Sequence, residues 1–263
     1  MNKEAPKVSV LMTIYNHQDF LNQSINSILK QNYQNWELIA CENGSQDNSA
    51  KILHNYTDER IKKFFFDENI GRTKCLNFAL KQAKGDFVAI LDSDDFAYPD
   101  RLSAQLKLLM KRTDVALVGS WYSRIDKDNR RVKEVNHNIT NNFFRRNMLF
   151  FNPIGHSTIM FRMSLIKEIG LYPEDFKFMQ DYAFFLKVYK DFKAEILPLN
   201  LTDCRTHHTN SETTRVAKST IIEEEWLKLL FWIKKNFKLS LVEIGNYYLV
   251  NLKLRFKIFR KKI

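Results

Sequence analysis

Cysteine, glycine and proline are all scarce in this chain, at 3, 7 and 5 of 263 residues. The three cysteines, Cys41, Cys75 and Cys204, are odd in number, far apart and free of any CxxC pair, so neither a disulfide framework nor a zinc site is expected. A reducing cytoplasm is the simplest setting. No uncharged apolar segment approaches the roughly 20 residues that cross a bilayer, and residues 1–7 mix charges with a proline where a secretory signal would be apolar. The protein is therefore expected to be soluble, or peripheral on the inner face of the cell membrane. A glycine-rich dinucleotide fingerprint is missing from Thr13-Ile14-Tyr15-Asn16-His17, where it would have to sit. There is no internal repeat, low-complexity tract or Pro/Gly-rich linker.

What the chain does have is a 44% hydrophobic composition, enough to bury a real core, and a net charge of +11 that is unevenly spread. Residues 215–263 hold 12 Lys and Arg against 4 Glu, leaving 29 against 26 for residues 1–214. Nucleic-acid binding is not the expectation. The basic tail interleaves its cations with Trp226, Leu229, Leu230, Phe231, Trp232, Leu249, Leu252 and Phe256, which reads as amphipathic helices suited to an anionic leaflet. Packing on the main domain or contacts in a homodimer would use the same pattern.

Through residue 120 apolar runs alternate with amphipathic stretches. Strands are predicted at 8–14, 36–40, 61–66, 87–91 and 115–119, and helices at 20–30, from Asp47, at 73–83 and at 100–111. Such repetition predicts a mostly parallel, Rossmann-like α/β sheet sandwiched by helices with right-handed crossovers. Beyond Ser120 the elements look shorter: half a hairpin at 131–135, a helix at 140–150, a strand at 157–161 and a helix at 179–190. One continuous domain is expected over 1–214, with a nucleotide half to about 120, followed by a tail of two helices at 219–235 and 240–259.

The most informative stretch is Asp92-Ser93-Asp94-Asp95, directly after the buried run Phe87 to Leu91. Three carboxylates in four residues repel one another unless a cation lies among them, and parallel sheets bind ligands at the carboxyl ends of their strands. Hard oxygen donors suit Mg²⁺ or Mn²⁺ shared with phosphate oxygens. The plainer reading is an acidic turn before a helix that starts near Pro99 and Asp100. Two other loops fall at the same sheet edge. Tyr15 and Asn16 follow the first strand, and Glu42-Asn43-Gly44-Ser45-Gln46-Asp47-Asn48-Ser49 follows the second, which read alone is a turn and helix cap.

These segments, with Glu68-Asn69-Ile70-Gly71, Lys84-Gly85-Asp86 and Pro99-Asp100-Arg101-Leu102, resemble in this order the inverting family 2 glycosyltransferases of the GT-A fold, over Val8 to about Ser211. The resemblance implies that Thr13, Tyr15 and Asn16 meet the nucleotide, Tyr15 by stacking, and that Glu42 and Asn43 read base and ribose. It implies that Asp92, Ser93 and Asp94 hold the sugar nucleotide and that Asp94 or Asp95 ligates the metal. The family often has proline at Thr13 and aspartate at Glu42, departures that bear on which base is read. Phe178-Met179-Gln180-Asp181-Tyr182 resembles the family's Glu-Asp acceptor segment, in which the second acid takes the acceptor proton. With Gln180 in the first place, Asp181 becomes the implied base, although a first-turn carboxylate also suits a helix dipole. Asn152 to Arg162 resembles the stretch leading to the acceptor, making His156 an acceptor-side candidate or a hydrogen-bonded structural histidine. Arg205-Thr206-His207-His208 resembles an Arg-x-His stretch that reaches the diphosphate or metal, with His207 the better match.

The implied activity is transfer of a sugar from a nucleoside-diphosphate sugar, UDP-linked by expectation, to a glycan or lipid-linked acceptor in capsule, exopolysaccharide or lipopolysaccharide assembly. Two rivals stand beside it: sugar-1-phosphate nucleotidyl transfer, which would want a glycine-rich phosphate loop after the first strand, and a non-catalytic module docking on membranes.

Overall fold

The computed structural model describes residues 5–136, 143–144, 147–152, 154–206 and 220–262. Its strands are β1 (Val8–Ile14), β2 (Trp36–Asn43), β3 (Ile61–Phe66), β4 (Phe87–Ile90), β5 (Phe96–Ala97), β6 (Val115–Ile125), β7 (Arg131–Val135), β8 (Met160–Arg162) and β9 (Lys193–Arg205). Its helices are α1 (Leu21–Leu29), α2 (Ser49–His54), α3 (Arg72–Gln82), α4 (Arg101–Lys111), α5 (Met163–Ile169), α6 (Gln180–Asp191), α7 (Ile221–Asn236) and α8 (Leu241–Lys262). All nine strands join one sheet, in the order β3-β2-β1-β4-β8-β6-β9-β5, with β7 paired to β6. The pairs β1–β2, β2–β3, β1–β4 and β6–β9 are parallel, and β8 and β5 run against their neighbours.

Strand β1 is buried along nearly its whole length because both sheet faces are covered. Val10, Met12 and Ile14 pack with α1 and α4 on one face, while Leu11 joins α3, α6 and α7 on the other. The polar residue inside β1 is satisfied locally. Ser9 donates to Glu37 Oε1 at 2.7 Å and accepts the Gly85 N–H at 2.8 Å, and Lys84 N–H and the Lys7 ammonium complete the Glu37 shell. Burial alone would raise the Glu37 carboxyl, but these donors hold it below its ordinary range. A Cβ on Gly85 would lie 2.6 Å from Ser9 N, so only glycine allows this approach.

At the opposite edge, the carboxyl ends of β2, β1 and β4 lie side by side, as the β-α pattern predicts. Arg101 is fully buried there and donates to the carbonyls of Ile90 and Ile159, joining the end of β4 to the turn before β8.

The second half departs from expectation in several places. Strand β6 runs on to Ile125, because its outer half pairs with β7 and β9 and needs no apolar run. Strand β9, 13 residues long, was not foreseen: Pro198 and the charged residues Lys193, Glu195 and Asp203 interrupt its pattern, and β6 absorbs the irregularity through register shifts. The strand expected at 157–161 is a 3₁₀ turn over His156–Thr158 followed by the shorter β8. Helix α5 was unforeseen as well. Of the helix expected at 140–150, residues 140–142 and 145–146 lie outside the described residues, while Phe143, Phe144 and Asn147 are helical and 148–150 form a turn.

The tail helices fall close to their expected places, and α7 packs into the core. Leu229, Leu230 and Ile233 are buried, Trp226 meets Tyr182, and the buried Glu225 carboxylate accepts the backbone N–H groups of Lys177, Phe178 and Met179 at 2.6 to 3.0 Å. That carboxylate sits where the α6 dipole is positive. Replacing it with alanine strands three donors, so Glu225→Ala is expected to lower stability by roughly 3 kcal/mol, measured by urea unfolding, with Glu225→Gln recovering part of the loss.

Candidate active site

The acidic run turns sharply at the end of β4, closed by Asp95 N–H to Asp92 C=O at 3.1 Å. Ser93 points inward, its hydroxyl donating to the Thr13 carbonyl at 3.0 Å and lying 2.7 Å from His17 Nδ1. Ser24 donates to the carbonyls of Ser93 and Asp95, pinning the turn to α1. The three carboxylates are thereby brought together, each with an oxygen within 4.8 Å of the others.

Their surroundings differ. Asp92 is gripped by Arg72 at 2.6 Å through both oxygens, and His156 Nδ1 lies 3.8 Å away, while its backbone N–H donates to Ser157 Oγ. Burial works against the charge on Asp92, but Arg72 and His156 hold its carboxyl well below the usual range, and Asp92 in turn raises the guanidinium. Asp95 is buried, accepts the Arg205 N–H at 2.7 Å and is pushed well up, first by burial and then by Asp94 and Asp92. Asp94 lies 4.0 Å from His17 Nε2. Three converging hard oxygens, one of them on a carboxyl raised by burial and then by its neighbours' charge, fit a divalent cation.

The nucleotide-side residues gather beside this run. Tyr15 and Thr13 are partly buried and Asn16 is exposed, at φ 55°. Asn16 zips the first two loops together: its N–H donates to Ser45 Oγ at 3.0 Å and its Oδ1 accepts the Gln46 N–H at 2.8 Å. Glu42 and Asn43 are buried and shape their own loops. Glu42 accepts the N–H groups of Gly44 and Ser45, and Asn43 donates to Asn69 Oδ1 while accepting the Ile70 N–H. Gly44, at φ +71°, leaves no room for a Cβ, which would fall 2.4 Å from the Glu68 carbonyl carbon.

Across the site, Asp181 stands in the first turn of α6 rather than at its N-cap, which is Met179. Its Oδ1 accepts the Tyr182 N–H at 2.7 Å and its Oδ2 accepts Asn152 Nδ2 at 3.0 Å. The Asn152 oxygen takes the Ile154 N–H, which fixes the amide with its donors toward Asp181. Burial raises the Asp181 carboxyl above the ordinary aspartate value, against the opposing charges of His156 and Arg72. The same Arg72 and His156 touch Asp92, so they link the acidic run electrostatically to Asp181. His156 is buried, with Nε2 3.1 Å from the Tyr172 hydroxyl. Gln180 is buried, and among the described residues no donor reaches its Oε1.

Arg205 directs its guanidinium at protein partners. Its guanidinium lies over the Phe20 ring at 4.2 Å and donates to Gln23, Asn129 and the carbonyls of Asp94 and Asp126, so it clamps the acidic turn to the β6–β7 hairpin. His207 and His208 lie outside the described residues. Arg72, Asn152 and Ser157 were missed as contributors. Asn152 and Ser157 lie within a segment singled out from the sequence, but a lone arginine after Gly71 carries no pattern that points at Asp92.

The sequence profile described as "Glycosyl transferase family 2" matches residues 9–170. An uncharacterized glycosyltransferase of Haemophilus influenzae is 31% identical over 250 residues, covering 93% of this chain and 94% of that protein. The Escherichia coli UDP-Glc:alpha-D-GlcNAc-diphosphoundecaprenol beta-1,3-glucosyltransferase WfgD is 28% identical over 227 residues, covering 83% of each chain. Among solved structures, the mannosyltransferase PcManGT of Pyrobaculum calidifontis, in complex with GDP-Man and Mn²⁺, superposes with a TM-score of 0.69 at 16% identity, over 98% of this chain and 73% of that one. With this sheet order, these loops and these matches, the chain belongs to glycosyl transferase family 2 and has the GT-A fold.

Proposed function

We propose that this glycosyltransferase moves a sugar, with inversion, from a nucleoside-diphosphate donor to a hydroxyl of a glycan or lipid-linked acceptor used in bacterial surface polysaccharide. The observation that carries the reading is the cluster of Asp92, Asp94 and Asp95 oxygens, linked through Arg72 and His156 to an Asp181 carboxyl raised by burial. A UDP-linked donor and a lipid-linked acceptor are favoured by the name of the E. coli relative, and manganese by the archaeal complex. Residues 1–214 would form the catalytic unit, with the acceptor half from about 121.

In this mechanism the donor base lies by Tyr15 and the Glu42–Asn43 loop, and its diphosphate by Asp92, Ser93 and Asp94. Asp94 and Asp95 would hold Mn²⁺ or Mg²⁺, which supplies positive charge against the diphosphate as it leaves. Arg72 adds a fixed cation beside Asp92. Asp181 takes the proton of the acceptor hydroxyl as that oxygen attacks the anomeric carbon from the face opposite the nucleotide. Asn152 orients the Asp181 carboxylate, and Gln180 and His156 line the acceptor side. Nucleotidyl transfer is disfavoured, since the loop after β1 offers no glycine-rich cradle.

Four outcomes test this. Asp181→Asn should lower transfer by about 10³-fold with donor binding by calorimetry unchanged; full transfer would remove Asp181 as the base. The base works deprotonated, so kcat should climb with pH through the raised Asp181 pKa and level off above it. Asn152→Ala removes a donor that favours the charged form and should move that acid limb to higher pH; an unmoved limb would assign Asn152 to packing alone. Asp94→Ala combined with Asp95→Asn should abolish the Mn²⁺-dependent part of UDP binding, as should a chelator, whereas persistence of that part would place the metal elsewhere.

A further inference from the structure

Helix α8 has two apolar faces, and α7 covers only one of them. Tyr247 is buried, and Val250 and Leu254 are partly buried on the side that packs with α7 and the core. On the other side Val242, Gly245, Leu249, Leu252, Phe256 and Phe259 recur at alternating intervals of three and four residues, forming a straight stripe about 26 Å long. All are exposed, Leu252 at 67% and Phe256 at 59%, with Leu241 and Tyr248 beside them. Phe231 of α7 is likewise exposed at 66%. A continuous apolar strip of this length on a water-facing helix needs an occupant.

Charge selects among the occupants. The described charged side chains of α8 are Lys253, Arg255 and Lys257, all exposed, against Glu243, whose carboxylate is turned back to accept the Ser240 N–H. At 100° per residue, Lys253 and Lys257 fall on one flank of the stripe and Arg255 on the other. Lys234 of α7 adds a fourth cation, donating to the Tyr248 hydroxyl at 3.0 Å. Pairing two copies in parallel through this stripe would set Lys253, Arg255 and Lys257 against their own counterparts. An anionic leaflet accepts both components, the apolar stripe at the acyl boundary and the flanking cations at the headgroups.

We infer that α8 is an interfacial helix, docking the enzyme on anionic lipid through the Val242–Phe259 stripe and its flanking cations. No described helix is long and apolar enough to cross a membrane, so attachment of this kind lies in the plane of the surface. The inference deepens the proposed function, to which it adds the lipid surface as partner, but it does not depend on glycosyl transfer for its test.

The full chain is mixed with vesicles of phosphatidylcholine alone or with about 30% phosphatidylglycerol, and bound protein is measured by co-sedimentation. The expected result is binding to the anionic vesicles at least tenfold tighter than to the neutral ones, weakening with salt. Leu252→Glu with Phe256→Glu should abolish it, and Lys253→Gln with Lys257→Gln should cost about tenfold, near fivefold per cation moderated by screening. All four side chains are exposed, so circular dichroism and donor binding should not change. Equal binding to both vesicles, or anionic binding that survives Leu252→Glu with Phe256→Glu, would overturn the inference. So would a dimer in sedimentation velocity that this pair dissolves, which would give the stripe to a second copy. Docking without transfer would leave this inference standing and sink the proposed function; transfer to a soluble acceptor without docking would do the reverse.

Discussion

Everything at the carboxyl edge of the sheet answers to one constraint: three carboxylates, at Asp92, Asp94 and Asp95, are held within a few ångströms of each other at the end of a buried strand. Such a cluster stores repulsion that the fold must offset from outside the cluster. Arg72, at the start of α3, neutralises Asp92. Arg205, at the end of β9, supports Asp94 and Asp95 through backbone bonds while its charge is spent on Phe20, Gln23 and Asn129. Ser24 and Ser93 lock the turn to α1 and β1. The remaining imbalance falls on Asp95, whose carboxyl is pushed up by burial and by its two neighbours. A divalent cation held there would relieve that imbalance, so a geometry that is costly for three carboxylates alone suits the proposed metal–diphosphate site.

The constraint also divides the labour. A carboxyl held low by an arginine, as Asp92 is, makes a poor base, whereas one raised by burial and held by a neutral amide, as Asp181 is, has more affinity for a proton. Arg72 and His156 sit between the two groups and favour the charged form of each. In the proposed mechanism, negative charge that develops on the leaving diphosphate and the proton that arrives on Asp181 change the field around the same pair of side chains. The two ends of the reaction are thus electrically coupled through Arg72 and His156 without touching.

The first half of the fold was legible because each element there obeys its own periodicity. The runs of β1 and β3 match their predicted limits, and α1, α3 and α4 agree to within a residue or two. The order β2-β1-β4 then puts Tyr15, Asn43 and Asp92 at one edge, so the co-location of the site follows from topology. The second half resists such reading because its elements are stabilised by partners rather than by pattern. The outer half of β6 pairs on both sides, β9 carries a proline and several charges, and β8 is three residues long. Site residues divide in the same way. Carboxylates clustered in four positions announce themselves, whereas Arg72 and Asn152 matter through contacts with residues 20 and 29 positions away in the chain. Nor does composition reveal that Glu42 and Asn43 spend hydrogen bonds on their own loops, leaving fewer for a base.

The tail was expected to lie on a membrane, to pack on the domain or to mediate homodimer contacts. Packing on the domain belongs to α7, whereas α8 carries the outer face on which the inferred lipid contact rests. Helix α7 packs behind the candidate site: Glu225 satisfies three backbone donors in the turn that launches α6, and Trp226 rests on Tyr182, the residue after Asp181. Helix α8 reaches the core mainly through Tyr247 and its partly buried neighbours, and presents its other face outward. Removing the whole tail would therefore disturb the proposed base and the inferred lipid-binding stripe together, and loss of transfer in such a truncation would say nothing about membranes. Point changes on the outer stripe of α8 separate the two effects, because none of those side chains contributes to the turn that holds Asp181.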